Sequence, residues 1–357
     1  MNTPKRTPLR ILLAALLCLS LLPAGAIAQV PVFQVEGEKP SVAAPLTAAP
    51  PAVTPAMPPP AEAKPDEPPI PGWPETDTAG FLLETTGEFI HADEPAGLWA
   101  YLSPTLRVVI TRQSGRYERH NLVWYIADIR FRGEEAFRAY LANPKNPSRT
   151  KDKPESIAQK NGVVYAQNGD LFSWRVYNRE KVGLIIRDGK ILHEDTYTRA
   201  IAKIPPLDEL ALYPDGRVEM RVPGEMTARE YLDRGAADVL AFGPILFRDG
   251  VKDDRLEKSF THREPRSAIG VVAPGHFVGI MVEGRNKRSD GAPLRFVADR
   301  LMGQGCETAF TLDGGQTAAM IFMGKNVMDP GIYNGFQKTR RQQDIIGIGS
   351  FSQTNDN

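Results

Sequence analysis

Apolar residues along this chain cluster in short runs, and most of the runs end on glycine, aspartate or proline. "LRVVITR", "LVWYIADIRF", "GVVYAQ", "VGLIIRDG", "DVLAFG", "AIGVVA", "FVGIMVEG", "AFTL" and "DIIGIG" are rich in β-branched or aromatic residues, the pattern that predicts strands. In "LIIRDGKIL" the two-residue connection Asp188-Gly189 predicts a hairpin. Helical spacing is rarer. "EEAFRAYLAN" sets Ala136, Phe137, Tyr140 and Leu141 on one helical face. "TAREYLDRGA" pairs Thr227 with Glu230 as a capping box and stops at Gly235. "PLRFVADRLMGQGCE" lines up Leu294, Val297, Ala298, Leu301 and Met302. Strands and helices do not alternate strictly, so the predicted architecture is α+β, a single large domain whose mixed, mostly antiparallel sheet is flanked by helices.

The amino-terminal region breaks this pattern twice. Lys5, Arg6 and Arg10 border an apolar run over residues 9–22, and Ala26-Ile27-Ala28 suits a small-residue cleavage site. Residues 1–28 therefore read as a secretory signal peptide, with an exported product in the periplasm or outside the cell. The run is short for a membrane span, and no later run reaches that length. Residues 29–75 are mostly alanine, proline and acidic residues, a composition that predicts an extended tether. Residues 76–357 remain for the folded domain.

Composition narrows the chemistry. Past the leader the only cysteine is Cys306, so no intramolecular disulfide framework is available, and Cys306 reads as a buried apolar residue. The five histidines are scattered, without zinc spacing. With 43 basic and 43 acidic residues the chain offers no electrostatic footprint for nucleic acid.

Candidate chemistry sits on the bends. "TLDGGQTAAMIFMG" places Asp313 beside two glycines between two apolar stretches. That is either a tight turn or a carboxylate presented to a ligand. Asn168-Gly169-Asp170, Gly243-Pro244, Pro265-Arg266-Ser267 and Glu283-Gly284-Arg285 are further bends of this kind. Arg266 precedes a predicted strand and Arg285 follows one, so two guanidinium groups at a sheet's rim could grip a phosphate.

Taken in order, "VVYAQNGDLFSWR", "DVLAFGPILFRDG", "PRSAIGVVAPGHFVGIMVEGR", "SDGAPLRFVADRLMGQGCETAFTLDGGQTAAM" and "RRQQDIIGIG" resemble the phosphodiester glycosidase family, from about residue 106 to 349. That family contains the lysosomal uncovering enzyme and exported bacterial proteins linked to polysaccharides. Its Asn-Gly segment falls on Asn168 and Gly169, with Asp170 following, and its Phe-Gly-Pro on Phe242, Gly243 and Pro244. Its Pro-Arg-Ser/Thr falls on Pro265 to Ser267, and its Ser-x-Gly on Ser289 to Gly291. Its Asp-Gly-Arg becomes Glu283-Gly284-Arg285, and its Leu-Asp-Gly-Gly is Leu312 to Gly315. The usual Gly-Ser-Ser downstream is replaced by Gln316-Thr317-Ala318, and Thr311 stands where asparagine is usual.

The resemblance implies an enzyme that hydrolyses the glycosidic bond of a sugar-1-phosphodiester, with an envelope or extracellular glycan as partner. A phosphate leaving group needs little protonation, so cationic donors matter more than a dedicated acid. Arg266 and Arg285 are assigned that role, with Arg341 as an addition. Asp313 is the first choice of carboxylate, followed by Glu283 and Asp170. Asn168, Gly169, Gly243, Ser267, Ser289, Gly314, Gly315 and Thr317 fall to substrate binding. His276, one strand-length from Glu283, reads as structural, Trp124 and Tyr125 as core, and Phe172 and Trp174 as sugar-stacking candidates. No cofactor is evident; Ca2+ or Mg2+ has carboxylates available but no binding loop. Two rival readings stay open: a metal-dependent phosphodiesterase cutting P–O, and a non-catalytic glycopolymer-binding module motivated by the altered Gln316-Thr317-Ala318.

Overall fold

Three antiparallel sheets turn one face each toward a shared core in the computed structural model, which describes residues 70–84, 87–147, 149–170, 183–195, 207–333 and 335–351. The largest sheet has nine strands: β1 (Phe89–Asp93), β2 (Leu98–Leu102), β3 (Leu106–Tyr117), β4 (His120–Phe131), β15 (His276–Val282), β14 (Arg266–Ala273), β16 (Thr308–Leu312), β12 (Ile245–Arg248) and β13 (Val251–Lys252), in that spatial order. A second runs β10 (Val218–Arg221), β9 (Asp208–Leu212), β11 (Asp238–Phe242), β7 (Ile185–Arg187) and β8 (Lys190–His193). The third runs β18 (Lys325–Asn326), β17 (Met320–Phe322), β6 (Val163–Asn168), β21 (Asp344–Ser350) and β5 (Arg138–Leu141). A small ribbon pairs β19 (Ile332–Tyr333) with β20 (Phe336–Gln337).

The central strands are apolar on both faces, which is why they read as continuous runs. On β4, Val123, Tyr125, Ala127 and Ile129 face the shared core, while Leu122, Trp124 and Ile126 face outward beneath the helix Leu294–Gly303. That helix buries Leu294, Val297, Ala298 and Leu301 as its spacing predicts, together with Phe296, and leaves Met302 at the margin. The outer faces of the other two sheets are likewise covered by short helices. Ala228–Asp233 packs on the second sheet, and Pro154–Lys160 packs on the third. Sheets thus dominate, with four short α-helices among the described residues.

Local signals hold where a turn needs special geometry. Asp188 and Gly189 both adopt positive φ, 51° and 68°, the conformation a two-residue hairpin demands. The capping box forms, with Thr227 Oγ1 accepting from Glu230 N and Glu230 Oε2 accepting from Thr227 N. Cys306 is buried, and burial pushes its thiol up to about 12.

The helix expected over residues 134–143 is instead strand β5, whose partner is β21. Phe137 enters the shared core, and Ala139 N donates to the Asp238 carboxylate at 2.9 Å. Ladder pairing and that buried acceptor override a spacing that also suits a helix. Within the stretch expected to be tether, Ile70 is buried and Trp73 meets Phe89 edge-on at 5.5 Å. The leader and the rest of the tether lie outside the described residues. Leu301 is fully enclosed beneath its helix, so Leu301→Ala should cost ~2–5 kcal/mol in urea-induced unfolding.

Candidate active site

Asp313 follows the last residue of β16, and its two glycines solve two separate problems. A Cβ on Gly314 would lie 2.6 Å from Pro265 O, so position 314 needs the space. Gly315 adopts φ +64°, which favours glycine, and its N–H donates to Pro265 O at 2.9 Å. A 3-10 turn, Gly315–Thr317, then leads toward β17.

The other side of the bend is gripped by the end of β6. Asn168 is wholly buried; its Nδ2 donates to Asp313 O at 2.7 Å and to Gly169 O at 3.0 Å. Its Oδ1 accepts from Ala319 N at 3.2 Å, and Asp313 N donates to Gly169 O at 3.3 Å. The Asn168 amide is therefore spent on backbone, and its role is to position Asp313. Gly169 fits because a Cβ there would lie 2.5 Å from Asp344 Oδ1.

Burial pushes the Asp313 carboxyl up to about 6. The Thr317 hydroxyl, the Arg340 charge and Gly314 N–H pull the other way, and the negative Asp170 adds to the rise. By surface area Asp313 keeps some exposure, so it is closely surrounded by protein and still reachable. The buried Thr317 Oγ1 stands beside it without closing a well-formed hydrogen bond. Asp170 is held from behind. Its Oδ2 accepts from Ala241 N at 2.8 Å and lies 3.4 Å from Arg187 Nη2. Arg187 in turn bonds Asp344 at 2.6 Å and the carbonyls of Ile186 and Val239. Burial alone would lower the Arg187 pKa, but Asp344, Asp170 and Asp238 hold it above its usual value.

Two arginines approach the bend. Arg285 Nη1 lies 3.5 Å from where a Cβ on Gly315 would stand, and its guanidinium pairs with Glu264. Arg340 reaches the same turn through its N–H to Gln316 O at 2.8 Å, and its charge acts on Asp313. Arg341 points elsewhere: it is mostly exposed and pairs with Asp152 at 3.3 Å. Adjacent residues of extended chain face opposite sides, so the pair "RR" alone could not tell which arginine's charge acts on Asp313. Arg266 lies near Arg285, but Nε donates to Ala292 O at 2.9 Å and Nη2 to His262 O at 2.6 Å. Burial pushes Arg266 down to about 10, opposed by Glu264 and aided by Arg285.

Several candidates are braces. Glu283 is fully buried and accepts from Tyr125 Oη (2.9 Å), Arg288 Nη2 (2.5 Å), Asp329 N (2.9 Å) and Asn286 Nδ2 (3.1 Å). Ser289 Oγ donates to Glu283 O and accepts from Val123 N. Ser267 is enclosed between β15 and β16 and meets Gln167 Nε2 at 3.3 Å. Gly243 N donates to Thr311 O, and a Cβ there would lie 2.8 Å from Asp208 Cβ. His276 bonds Asp128 at 2.6 Å, at the opposite end of β15 from Glu283. Trp124 and Tyr125 belong to the core, while Phe172 and Trp174 lie outside the described residues. Among the described residues no three His, Cys, Asp or Glu side chains converge for a metal ion.

Two outcomes follow from this geometry. Asn168→Asp keeps the shape but cannot donate to Asp313 O, and should cost ~1–3 kcal/mol in chemical unfolding. Asp313 takes up its proton more readily in the folded chain than in the unfolded one, where aspartate titrates near ~4. Between pH ~4 and about 6 the folded chain therefore binds more protons, and stability falls as pH rises through that window. Asp313→Asn should flatten this slope in unfolding curves measured across the window.

The fold is similar to that of the zebrafish N-acetylglucosamine-1-phosphodiester alpha-N-acetylglucosaminidase catalytic domain, auto-inhibited by pro-peptide. The two share a TM-score of 0.54 over 70% of this chain and 85% of that one, at 18% identity, a likeness of fold alone. The SPbeta prophage-derived uncharacterized protein YomE of Bacillus subtilis (strain 168) is 31% identical over 179 residues, 48% of this chain. The match covers 26% of that relative, so the chain spans about a quarter of its length. The family model of the phosphodiester glycosidases matches residues 161–348, more than half of the chain, from just before β6 to the last strand. The chain belongs to the phosphodiester glycosidase family, a family of hydrolases.

Proposed function

We propose that the protein is exported and hydrolyses the glycosidic bond of a sugar-1-phosphodiester in an envelope or extracellular glycan. The observation that carries this reading is the convergence of a reachable, closely surrounded Asp313 with Arg285 and Arg340 on one glycine bend. In the reaction the bond between C1 and the phosphate oxygen breaks, and its electron pair leaves with the phosphate. Water supplies hydroxide to C1 and its proton passes to Asp313. Arg285 and Arg340 neutralise the departing phosphomonoester, and Arg266 secures the neighbouring loop through Ala292 and His262. A carboxyl titrating near 6 is well matched to take a proton at neutral pH. Asp170, its side chain buried against Arg187 and Ala241 N, supports the loop behind Asp313.

Export is supported by the basic, apolar and small-residue order of residues 1–28. The name of the zebrafish structure makes an α-linked N-acetylglucosamine 1-phosphodiester the first substrate to try.

Hydrolysis in heavy-oxygen water decides the bond. Label is expected on the sugar's C1 hydroxyl; label only in phosphate overturns the glycosidase reading. Asp313→Ala should lower kcat by about 10²–10⁴-fold, and wild-type kcat/KM should rise with pH through a limb centred near 6. Binding across a substrate panel with no turnover would instead establish a non-catalytic glycan-binding module.

A further inference from the structure

Two sheets end side by side at a cleft that the proposed reaction leaves unused. β5 is the outermost strand of the third sheet, and β8 is the outermost strand of the second. Beside them lies a cavity of about 280 Å³, close to the lower end of the ~300–1,000 Å³ that small-molecule sites occupy. Arg138, Tyr140 and Leu141 line it from β5, while Asp188, Lys190 and Leu192 line it from the β7–β8 hairpin. Tyr140 is half-buried against the cluster beneath the helix Pro154–Lys160, which gives the cleft a firm aromatic wall.

The charges at this cleft do not cancel. Asp238, which also lines it, is committed: its carboxylate accepts from Ala139 N at 2.9 Å and from Asp188 N at 3.0 Å, and Arg187 acts on it. Arg187 is committed in turn to Asp344 and Asp170. Arg138, Lys190 and Asp188 are exposed, and among the described residues their side chains enter no ion pair or hydrogen bond. Two cations against one acid leave a single positive charge in surplus, which one phosphodiester would neutralise. Guanidinium and ammonium groups both bind phosphate oxygens, and the Asp188 carboxylate can accept from a sugar hydroxyl. The cleft also lies close behind the catalytic bend. Asp238 stands three residues before Ala241, whose N–H holds Asp170, so at about 3.3 Å per residue ~10 Å of β11 separates the two.

We propose that this cleft holds a second phosphodiester of the same glycan chain, away from the linkage being cleaved. Arg138 and Lys190 take its phosphate, and Tyr140 meets the adjoining sugar. The substrate is then a polymer of repeated sugar-1-phosphodiester linkages, which the cleft retains while Asp313 acts on another repeat. This inference rests on the glycosidase reading above for its substrate class.

Two substrates provide the test: the methyl diester of α-linked N-acetylglucosamine 1-phosphate, and an oligomer of that sugar joined through repeated 1-phosphodiesters. The double variant Arg138→Gln/Lys190→Gln should lower the oligomer-to-methyl ratio of kcat/KM by about 3- to 30-fold, through KM, with the methyl diester unaffected. The control Arg229→Gln/Lys258→Gln removes two exposed cations elsewhere and should leave the ratio as it was. An unchanged ratio in the first variant, or an equal fall in the control, overturns the cleft. Calorimetric titration of the oligomer into the Asp313→Ala protein reads binding without turnover. Adding Arg138→Gln and Lys190→Gln should weaken that binding by a similar factor. Binding weakened in this way, where the wild-type chain turns over neither substrate, would leave the cleft standing and overturn the catalytic reading. Binding untouched by the two substitutions would overturn the cleft, with or without turnover. Absence of both binding and turnover would overturn both.

Discussion

The side-chain amide of Asn168 and the carbonyl of Asp313 meet at 2.7 Å, a contact that fixes the bend between the third sheet and the nine-stranded one. Asn168 also takes the Ala319 N–H, while Gly169 takes the Asp313 N–H. The backbone of the acid is thereby held from both sides where two sheets end. A buried amide with both donors and its oxygen engaged is a stiff joint, because releasing it strands polar groups away from water. Asp313 can then be closely surrounded by protein without drifting, which is what sets its proton affinity.

Charge in this protein gathers at the bend and in the architecture around it. Arg187 sits among Asp170, Asp344 and Asp238, and Asp170 and Asp238 also accept from backbone N–H groups of Ala241, Ala139 and Asp188. Glu283 organises the loop of Asn286 and Ser289 and captures Asp329 N beneath the ribbon. Removing one member of such a network would leave a buried charge without its partner, a far larger loss than a surface pair entails. Asn168, Glu283, Ser289 and Ser267 thus each hydrogen-bond within the protein around the bend.

The nine-stranded sheet shows how the framework is kept rigid. Apolar side chains on alternate positions of β4 and β15 feed two separate clusters, one shared by all three sheets and one beneath the helix Leu294–Gly303. Where Tyr165 of the third sheet meets β15, Gly279 leaves room for its Oη, which would lie 2.1 Å from a Cβ there. The strand ends that bear Arg266, Arg285 and Asp313 all emerge from this one slab, so their spacing follows from ladder register.

What the sequence alone determined is whatever a few neighbouring residues encode: strands apolar on both faces, the Asp188-Gly189 hairpin, the Thr227 capping box, the ordered motifs that reveal the family, and a Gly-Gly bend made to hold an acid. Periodicity and turn conformation are local properties, so these were legible. Tertiary structure decided the rest. It turned residues 138–141 into a strand by offering β21 as a partner, and it chose Arg340 over Arg341. It also committed Glu283, Ser289 and Ser267 to bracing, and joined Asn168 to Asp313 across 145 residues of chain. Burial and hydrogen-bond geometry depend on which distant segments arrive at a place, and no local pattern records that arrival.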